Sequence, residues 1–188
     1  MRLLLVDNYD SFVHNLGNLI RTLGAQVDVI ENDRLHSVTE YYPAVVISPG
    51  PGNPENPSDC GELFEYLEKG NYGKILGVCF GHQALGKYLG SRVVPAPTLM
   101  HGEIDSIRHF GGHLFRGVPD TFRSVRYHSL IITERDGILT DAVSETDGSV
   151  MAFHSPDFRY SGLQFHPESF YSEYGDVIMR NFIGGIAK

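Results

Sequence analysis

Short strand-like runs alternate with segments of helical spacing through the first half of this 188-residue chain. The runs read RLLLVD, AQVDVIE, AVVIS and KILGV, and they begin at Arg2, Ala25, Ala44 and Lys74. Buried apolar strands need cover on both faces, and crossover helices supply that cover in parallel sheets. The alternation therefore predicts an α/β fold with a doubly wound, mostly parallel sheet and flanking helices.

Three helices are predicted between and after these runs, and each is expected to stop at a glycine. The predicted stops are Gly24, Gly70 and Gly90. Asp10 or Ser11 is placed to cap the first helix. Asp59, with Glu62 three residues later, matches a capping box for the second helix.

The second half of the chain has a different pattern. From Ser91 onward, short alternating segments such as SVMAFH and YSGLQFH are separated by turn residues, which predicts added strands, some of them antiparallel. A last helix is predicted from Tyr174 to Ile183. Because no linker-like stretch divides the chain, residues 1–188 are expected to form a single domain.

Charge and cysteine content narrow the class of protein. The net charge is −8 and the basic residues are not clustered, which argues against nucleic-acid binding. The first apolar run stops at Asp7, too early for a signal peptide, and no stretch approaches the ~18 apolar residues of a membrane span. Cys60 and Cys79 form neither a disulfide framework nor a metal-binding pattern. We expect a cytoplasmic protein that binds no metal, nucleic acid or membrane.

Cys79 stands out because of its position between KILGV and the next helix. The segment Gly77-Val78-Cys79-Phe80-Gly81 has the spacing of a nucleophile elbow, with cysteine in place of serine. Most free cysteines are simply small buried residues. The flanking glycines and the helix start, which favours a thiolate, indicate instead that Cys79 is a nucleophile.

A thiol nucleophile needs a base, and the segment GLQFHPES supplies one. Pro167 favours an extended conformation at His166, and residues two apart in an extended chain share a face. Glu168 is therefore placed to orient the His166 imidazole. His82, three residues along the helix from Cys79, is expected to point beside the elbow and is interpreted as a helix-start residue.

Backbone donors for a developing oxyanion are predicted on two loops. One donor is the N–H of Phe80, the residue after the nucleophile. The other loop reads Pro49-Gly50-Pro51-Gly52, in which the glycines carry the free N–H groups. A plain connecting loop is the alternative interpretation of that stretch.

Taken together, GVCFGHQ, ISPGPG and FHPES resemble the triad-type, class I glutamine amidotransferases. DNYDSFVHNL and RYHSL narrow the resemblance to the glutaminase subunits of anthranilate synthase and of the related aminodeoxychorismate synthase. The likeness runs from end to end of the chain and implies a flavodoxin-like core. It also implies that the partner is a separate, larger chorismate-binding synthase subunit. No cofactor is expected in this chain, and Mg is expected only in that partner.

The resemblance assigns roles to individual residues. Cys79 is implied to attack the side-chain amide of L-glutamine, with His166 shuttling protons and Glu168 orienting it. Gly52 and Phe80 are implied to form the oxyanion hole. The implied glutamine-binding residues are Gly50, Pro51, Gly52, Gln83, Ser129 and Leu130.

Other interpretations stay open on the sequence alone. The ammonia acceptor is either anthranilate or aminodeoxychorismate synthesis, or both. A Cys-His hydrolase of another kind, such as a peptidase, is a second enzyme class, and a partner-binding module without glutaminase activity is a non-enzyme class. Phe80, Glu103 and Phe170-Tyr171 depart from the residues usual in the family, and we expect the last two departures to affect partner docking.

Overall fold

The computed structural model describes residues 1–185 of the chain. Its strands are β1 (Arg2–Asp7), β2 (Gln26–Glu31), β3 (Tyr42–Ile47), β4 (Tyr72–Val78), β5 (Val93–His109), β6 (Thr121–Ile132), β7 (Leu139–Ser144), β8 (Val150–His154) and β9 (Tyr160–Leu163). Its α-helices are α1 (Val13–Thr22), α2 (Pro57–Cys60), α3 (Leu63–Lys69), α4 (Phe80–Tyr88) and α5 (Gly175–Gly184). Two 3₁₀ helices cover Asn32–Ser37 and His113–Phe115.

The strands form a mixed sheet in the order β2-β1-β3-β4-β9-β8-β7-β5-β6. Pairing is parallel from β2 through β9 and antiparallel from β9 through β6. The predicted α/β fold, with a doubly wound parallel half and added antiparallel strands, is confirmed. Because β9 pairs in parallel with β4, the carboxyl end of the ninth strand lies beside the carboxyl end of the fourth.

Alternation along β1 divides the core into two layers. Leu3 and Leu5 pack on the face covered by α1 and α5, whereas Leu4 and Val6 pack on the face covered by α3 and α4. All four side chains are fully buried. Burial of each such side chain stabilises the fold by about 1.5–3 kcal/mol, so both faces of the sheet hold the first strand in place.

The helix boundaries agree with the sequence at their C-terminal ends. Gly24, Gly70 and Gly90 all adopt positive φ just beyond α1, α3 and α4. The prediction that Asp10 or Ser11 caps α1 is wrong: the N-cap residue is Phe12 and no side chain caps the helix, although the Asp10 carboxylate accepts from the Phe12 N–H at 2.6 Å in the turn before it. The last helix, α5, begins and ends one residue later than predicted.

The predicted capping box of Asp59 and Glu62 is wrong. Gly61 breaks the segment with φ of +54°, and α2 ends before it. Asp59 instead accepts from the Asn53 N–H at 2.9 Å, and Glu62 accepts from a backbone N–H in the first 3₁₀ helix. Both carboxylates are thus used by neighbouring loops rather than by a helix start. Among residues 1–185 no helix has the length and apolar character needed to cross a membrane.

Candidate active site

The candidate site lies where the carboxyl ends of β3 and β4 meet the edge strand β6. A cavity of about 190 Å³ opens there. Its lining comprises Gly50, Pro51, Gly52, Cys79, Phe80, Gln83, Tyr127, His128, Ser129 and Leu130. Every residue predicted to bind glutamine lines this cavity together with Cys79. Tyr127 and His128 are additions that the sequence did not single out.

Cys79 sits on a strained turn between β4 and α4. Its φ of +53° is unusual for a residue with a side chain and costs of order 1–3 kcal/mol. The flanking glycines make the turn sterically accessible, because a Cβ at Gly77 would overlap the Gly81 carbonyl and a Cβ at Gly81 would overlap the Ile47 carbonyl. The Cys79 N–H is anchored to the Leu163 carbonyl at 2.8 Å. The geometry predicted for a nucleophile elbow is present.

The first turn of α4 provides donors next to the sulfur. Phe80 is the first helical residue, so its N–H has no partner within the helix. No acidic side chain occupies this first turn, which leaves the positive end of the helix dipole facing the cavity. Helix position and free donors together favour negative charge at Cys79 and at an oxygen bound near it.

His166 and Glu168 form a buried pair beside Cys79. The Nδ1 atom of His166 lies 2.6 Å from Oε1 of Glu168, and both side chains are at most 3% exposed. Burial lowers the pKa of His166, but the Cys79 sulfur and the Glu168 carboxylate outweigh it, so the pKa lies well above its usual value. The buried Nε2 atom forms no standard hydrogen bond within residues 1–185 and is left to exchange a proton with the thiol.

Two aromatic rings hold the His166 imidazole from its sides. The Phe12 and Tyr127 rings lie 5.4 Å and 5.3 Å from it, centroid to centroid, and 5.4 Å from each other. The Ser172 hydroxyl also donates to the His166 carbonyl at 2.6 Å. The sequence did not predict these contacts, although Phe12 lies in the DNYDSFVHNL segment and Tyr127 in the RYHSL segment.

The loop after β3 is held by polar contacts to its neighbours. The Asn8 amide donates to the Ser48 carbonyl at 2.8 Å, and a Cβ at Gly50 would lie 2.5 Å from the Asn8 Cβ. Gly52 has φ of +97°, and its own Cβ would lie 2.5 Å from Asp59 Oδ2. Gly50 is therefore required by its close approach to Asn8, and Gly52 by its positive φ. The oxyanion role of Gly52 and Phe80 stays a prediction.

A buried charge network supports the β6 wall of the cavity. The Arg126 guanidinium, fully buried, donates to Asp105 at 2.5 Å, to Asp147 at 3.0 Å and to His128 Nε2 at 2.9 Å. Since a guanidinium only donates, His128 Nε2 must accept, and its Nδ1–H donates to the Leu130 carbonyl at 3.0 Å. Burial and the Arg126 charge lower the pKa of His128 to about 4, so His128 is neutral near pH 7.

His82 does not line the cavity. It is fully buried, its ring centroid lies 5.0 Å from that of Phe153, and burial lowers its pKa to about 3. The prediction that it lies beside the elbow, at the start of a helix, agrees with this position, because His82 is the third residue of α4 and packs in the core.

The remaining sequence departures lie at the surface. Phe170 is 95% exposed, and Glu103 and Tyr171 are also exposed. The described residues contain no cluster of side chains with metal-ligand character. Both cysteines are free. A larger cavity of about 520 Å³ lies near the amino end of β4, and its lining includes Lys74 and His113 but no cysteine, serine or threonine.

The fold and the site together define a class of protein: an α/β protein with a cysteine elbow and a buried histidine–carboxylate pair. Comparison with known proteins specifies the class. Residues 4–185 match the family model described as glutamine amidotransferase class-I, and the chain belongs to this family.

Two relatives illustrate the likeness. The chain is 43% identical to anthranilate synthase component 2 of Thermus thermophilus, over 97% of this chain and 92% of that protein. It is 42% identical to aminodeoxychorismate synthase component 2 of Serratia marcescens, over 96% and 98% respectively. The crystal structure of a protein described as a GMP synthase subunit from Thermoplasma acidophilum is similar, with a TM-score of 0.88 and 28% identity, covering 98% of this chain and 92% of that chain.

Proposed function

We propose that this chain hydrolyses L-glutamine at Cys79 and supplies the ammonia to a separate, larger chorismate-binding subunit that makes anthranilate. The observation that carries the proposal is the meeting of Cys79, the His166–Glu168 pair and the 190 Å³ cavity at one sheet edge. Membership of the class-I family and the names of the similar proteins support it.

The first half of the proposed reaction forms a thioester. The Cys79 thiol gives its proton to His166, and Sγ attacks the amide carbon of the glutamine side chain. The carbonyl electrons move onto oxygen, where the N–H groups of Phe80 and Gly52 stabilise the negative charge. His166 then protonates the amide nitrogen, the C–N bond breaks and ammonia leaves.

Water completes the proposed cycle. His166 takes a proton from water as the water oxygen attacks the thioester carbon. The C–S bond breaks, glutamate leaves and the sulfur is regenerated. Throughout, Glu168 holds Nδ1 and stabilises the imidazolium without taking its proton.

The cavity suits a free amino acid. Its 190 Å³ lies below the roughly 300–1,000 Å³ of pockets for drug-sized ligands, which weighs against a peptidase. Gln83 Nε2 donates to the Leu130 carbonyl at 2.9 Å, so its Oε1 is the atom left to accept an N–H from glutamine. Ser129 and Leu130 are proposed to meet the amino-acid end of the substrate.

The proposed function requires a partner subunit, and we propose that this chain itself binds no cofactor. Relatives named as component 2 support a hetero-oligomer with a synthase subunit. Mg is assigned to that partner, and the exposed Phe170-Tyr171 pair is proposed to contact it. Ammonia supply to an aminodeoxychorismate synthase is the second candidate, favoured by the relative from Serratia marcescens.

The decisive experiment uses the complex with the synthase subunit. Cys79→Ala should abolish product formation from glutamine and leave formation from added ammonia intact. Cys60→Ala, a change at the other buried thiol, should preserve both. Retained glutamine use by Cys79→Ala would overturn the proposal, and assays with each type of synthase decide between anthranilate and aminodeoxychorismate.

A further inference from the structure

We propose that Gln164 is a further catalytic residue, whose side-chain N–H donates to the Cys79 sulfur and favours the thiolate. The inference rests on the proposed function, in which that sulfur is the nucleophile. It adds a donor on the protein side of the sulfur, separate from the N–H groups that face the substrate oxygen.

Gln164 reaches the sulfur from the strand extension that also carries His166. It follows β9 directly, is fully buried and anchors its backbone N–H on the Met151 carbonyl at 2.8 Å. Its Nε2 atom lies 3.7 Å from Cys79 Sγ. The backbone bends at Gln164 and Phe165, and both Gln164 and His166 act on Cys79, since the sulfur also raises the pKa of His166.

The orientation of the Gln164 amide follows from a backbone carbonyl. The Leu130 carbonyl can only accept, so the Gln83 amide atom 2.9 Å from it is nitrogen. The same nitrogen lies 3.1 Å from the Gln164 amide, which must therefore present its oxygen to Gln83. The other end of the Gln164 amide, the N–H₂ group, is thereby directed at Cys79.

Two polar groups that contact the sulfur favour different protonation states. The Tyr127 carbonyl lies 3.8 Å from Sγ and accepts a hydrogen bond from the neutral thiol. The Gln164 N–H donates to sulfur and is complementary to the thiolate. A hydrogen bond to a charged group is stronger than a neutral one, and low local polarity strengthens it further. The donor thus assists both steps that place negative charge on sulfur, namely deprotonation of the thiol and departure of sulfur when the thioester breaks down.

Other titratable side chains near the sulfur come from several parts of the fold. His166, with Glu168 behind it, follows β9, and Tyr127 and His128 lie on β6. Asp59 lies behind the loop after β3. None of these side chains donates to the Gln164 amide, so a change at Gln164 can be measured against an otherwise unchanged set of charges.

The test measures thiol alkylation by iodoacetamide as a function of pH in the full chain. A Cys60→Ala background removes the second thiol, whose own pKa burial raises to about 11. Gln164→Met preserves shape and removes the donor. Loss of one charge-assisted hydrogen bond should move the midpoint of the alkylation profile up by about one pH unit and slow alkylation about tenfold at pH values well below that midpoint.

A matched control separates this role from simple stabilisation. Tyr72→Phe removes a buried hydroxyl that donates to the Leu67 carbonyl at 2.6 Å, at the opposite end of β4 from Cys79. It should lower stability without moving the alkylation profile. A Gln164→Met profile that superimposes on that of the background would overturn the inference. Because alkylation needs no glutamine, that result leaves the Cys79→Ala test of the proposed function independent.

Discussion

In the proposed mechanism His166 transfers protons and Glu168 orients its imidazole. Only His166 has a nitrogen free to exchange a proton with Cys79, since its Nδ1 is held by Glu168 at 2.6 Å. In the proposed mechanism the carboxylate acts only through the imidazole. The Phe12 and Tyr127 rings add a second restraint on the imidazole that does not depend on Glu168.

His166→Ala should therefore be more damaging than Glu168→Ala. Loss of a general acid–base group costs about 10²–10⁴ in rate, and we expect the glutamine-dependent kcat of His166→Ala to fall within or beyond this range. Glu168→Ala should retain at least tenfold more activity, because the aromatic rings still orient the imidazole. Steady-state assays of the two complexes check this, and the reverse order would mean that the two roles are exchanged.

The strand–turn–helix element from β4 to α4 depends on backbone packing rather than on side-chain chemistry. Gly77 and Gly81 each lie where any Cβ would meet a backbone carbonyl, and a backbone atom cannot rotate away. The elbow and its two glycines therefore form one steric unit.

Gly77→Ala should destabilise the fold by several kcal/mol, about 3 or more, because the clash is with main chain. Gly184→Ala is the matched control: within residues 1–185, nothing outside its chain neighbours and its own helix backbone lies within 4 Å of its Cβ position in α5. The control should be neutral or stabilise by up to about 1 kcal/mol, since alanine is the better helix former. Urea unfolding monitored by circular dichroism measures both, and equal stability of the two variants would contradict the packing explanation.

Elements with strong local signals could be predicted from the sequence. Patterns of a few neighbouring residues were enough for the apolar runs of β1, β3 and β4 and for the glycine pair around Cys79. The capping-box prediction was wrong because the two carboxylates accept other hydrogen bonds. Asp59 accepts from the Asn53 N–H, and Glu62 accepts from a backbone N–H 26 positions away. Local propensity cannot reveal such competition.

Long-range polar contacts also could not be predicted from the sequence. The Arg126 network joins β5, β6 and the turn after β7, and the Gln83–Gln164 contact spans 81 positions. Each depends on strand register, which only the assembled sheet defines. The RYHSL and GLQFHPES motifs marked the residues as notable without indicating these partners.

Over the whole molecule, buried histidines make stability depend on pH. Burial lowers the pKa values of His82, His113 and His128 to about 3, 4 and 4. Unfolded histidine binds a proton below about pH 6.5, whereas these three folded side chains do not until nearer pH 4. The unfolded state therefore binds more protons in this window, and stability falls as pH falls.

The free energy of unfolding should accordingly be lower at pH 5 than at pH 7. His166, with its raised pKa, has the opposite sign and loses its contribution only as pH rises above 6.5. Urea titrations at a series of pH values give the slope, and His82→Leu should reduce it by up to about one proton. A slope that is flat, or of opposite sign, between pH 4 and 6.5 would rule out neutral burial of these histidines.

The proposed function of the whole molecule depends on a glutamyl thioester formed at Cys79. The most direct measurement is acid quenching of the synthase complex during glutamine turnover, followed by mass mapping of peptides from this chain. We predict an adduct equal to glutamine less ammonia on the peptide that contains Cys79. Turnover at the parent rate by the Cys79→Ala complex without any adduct, or an adduct that maps to another residue, would contradict the claim.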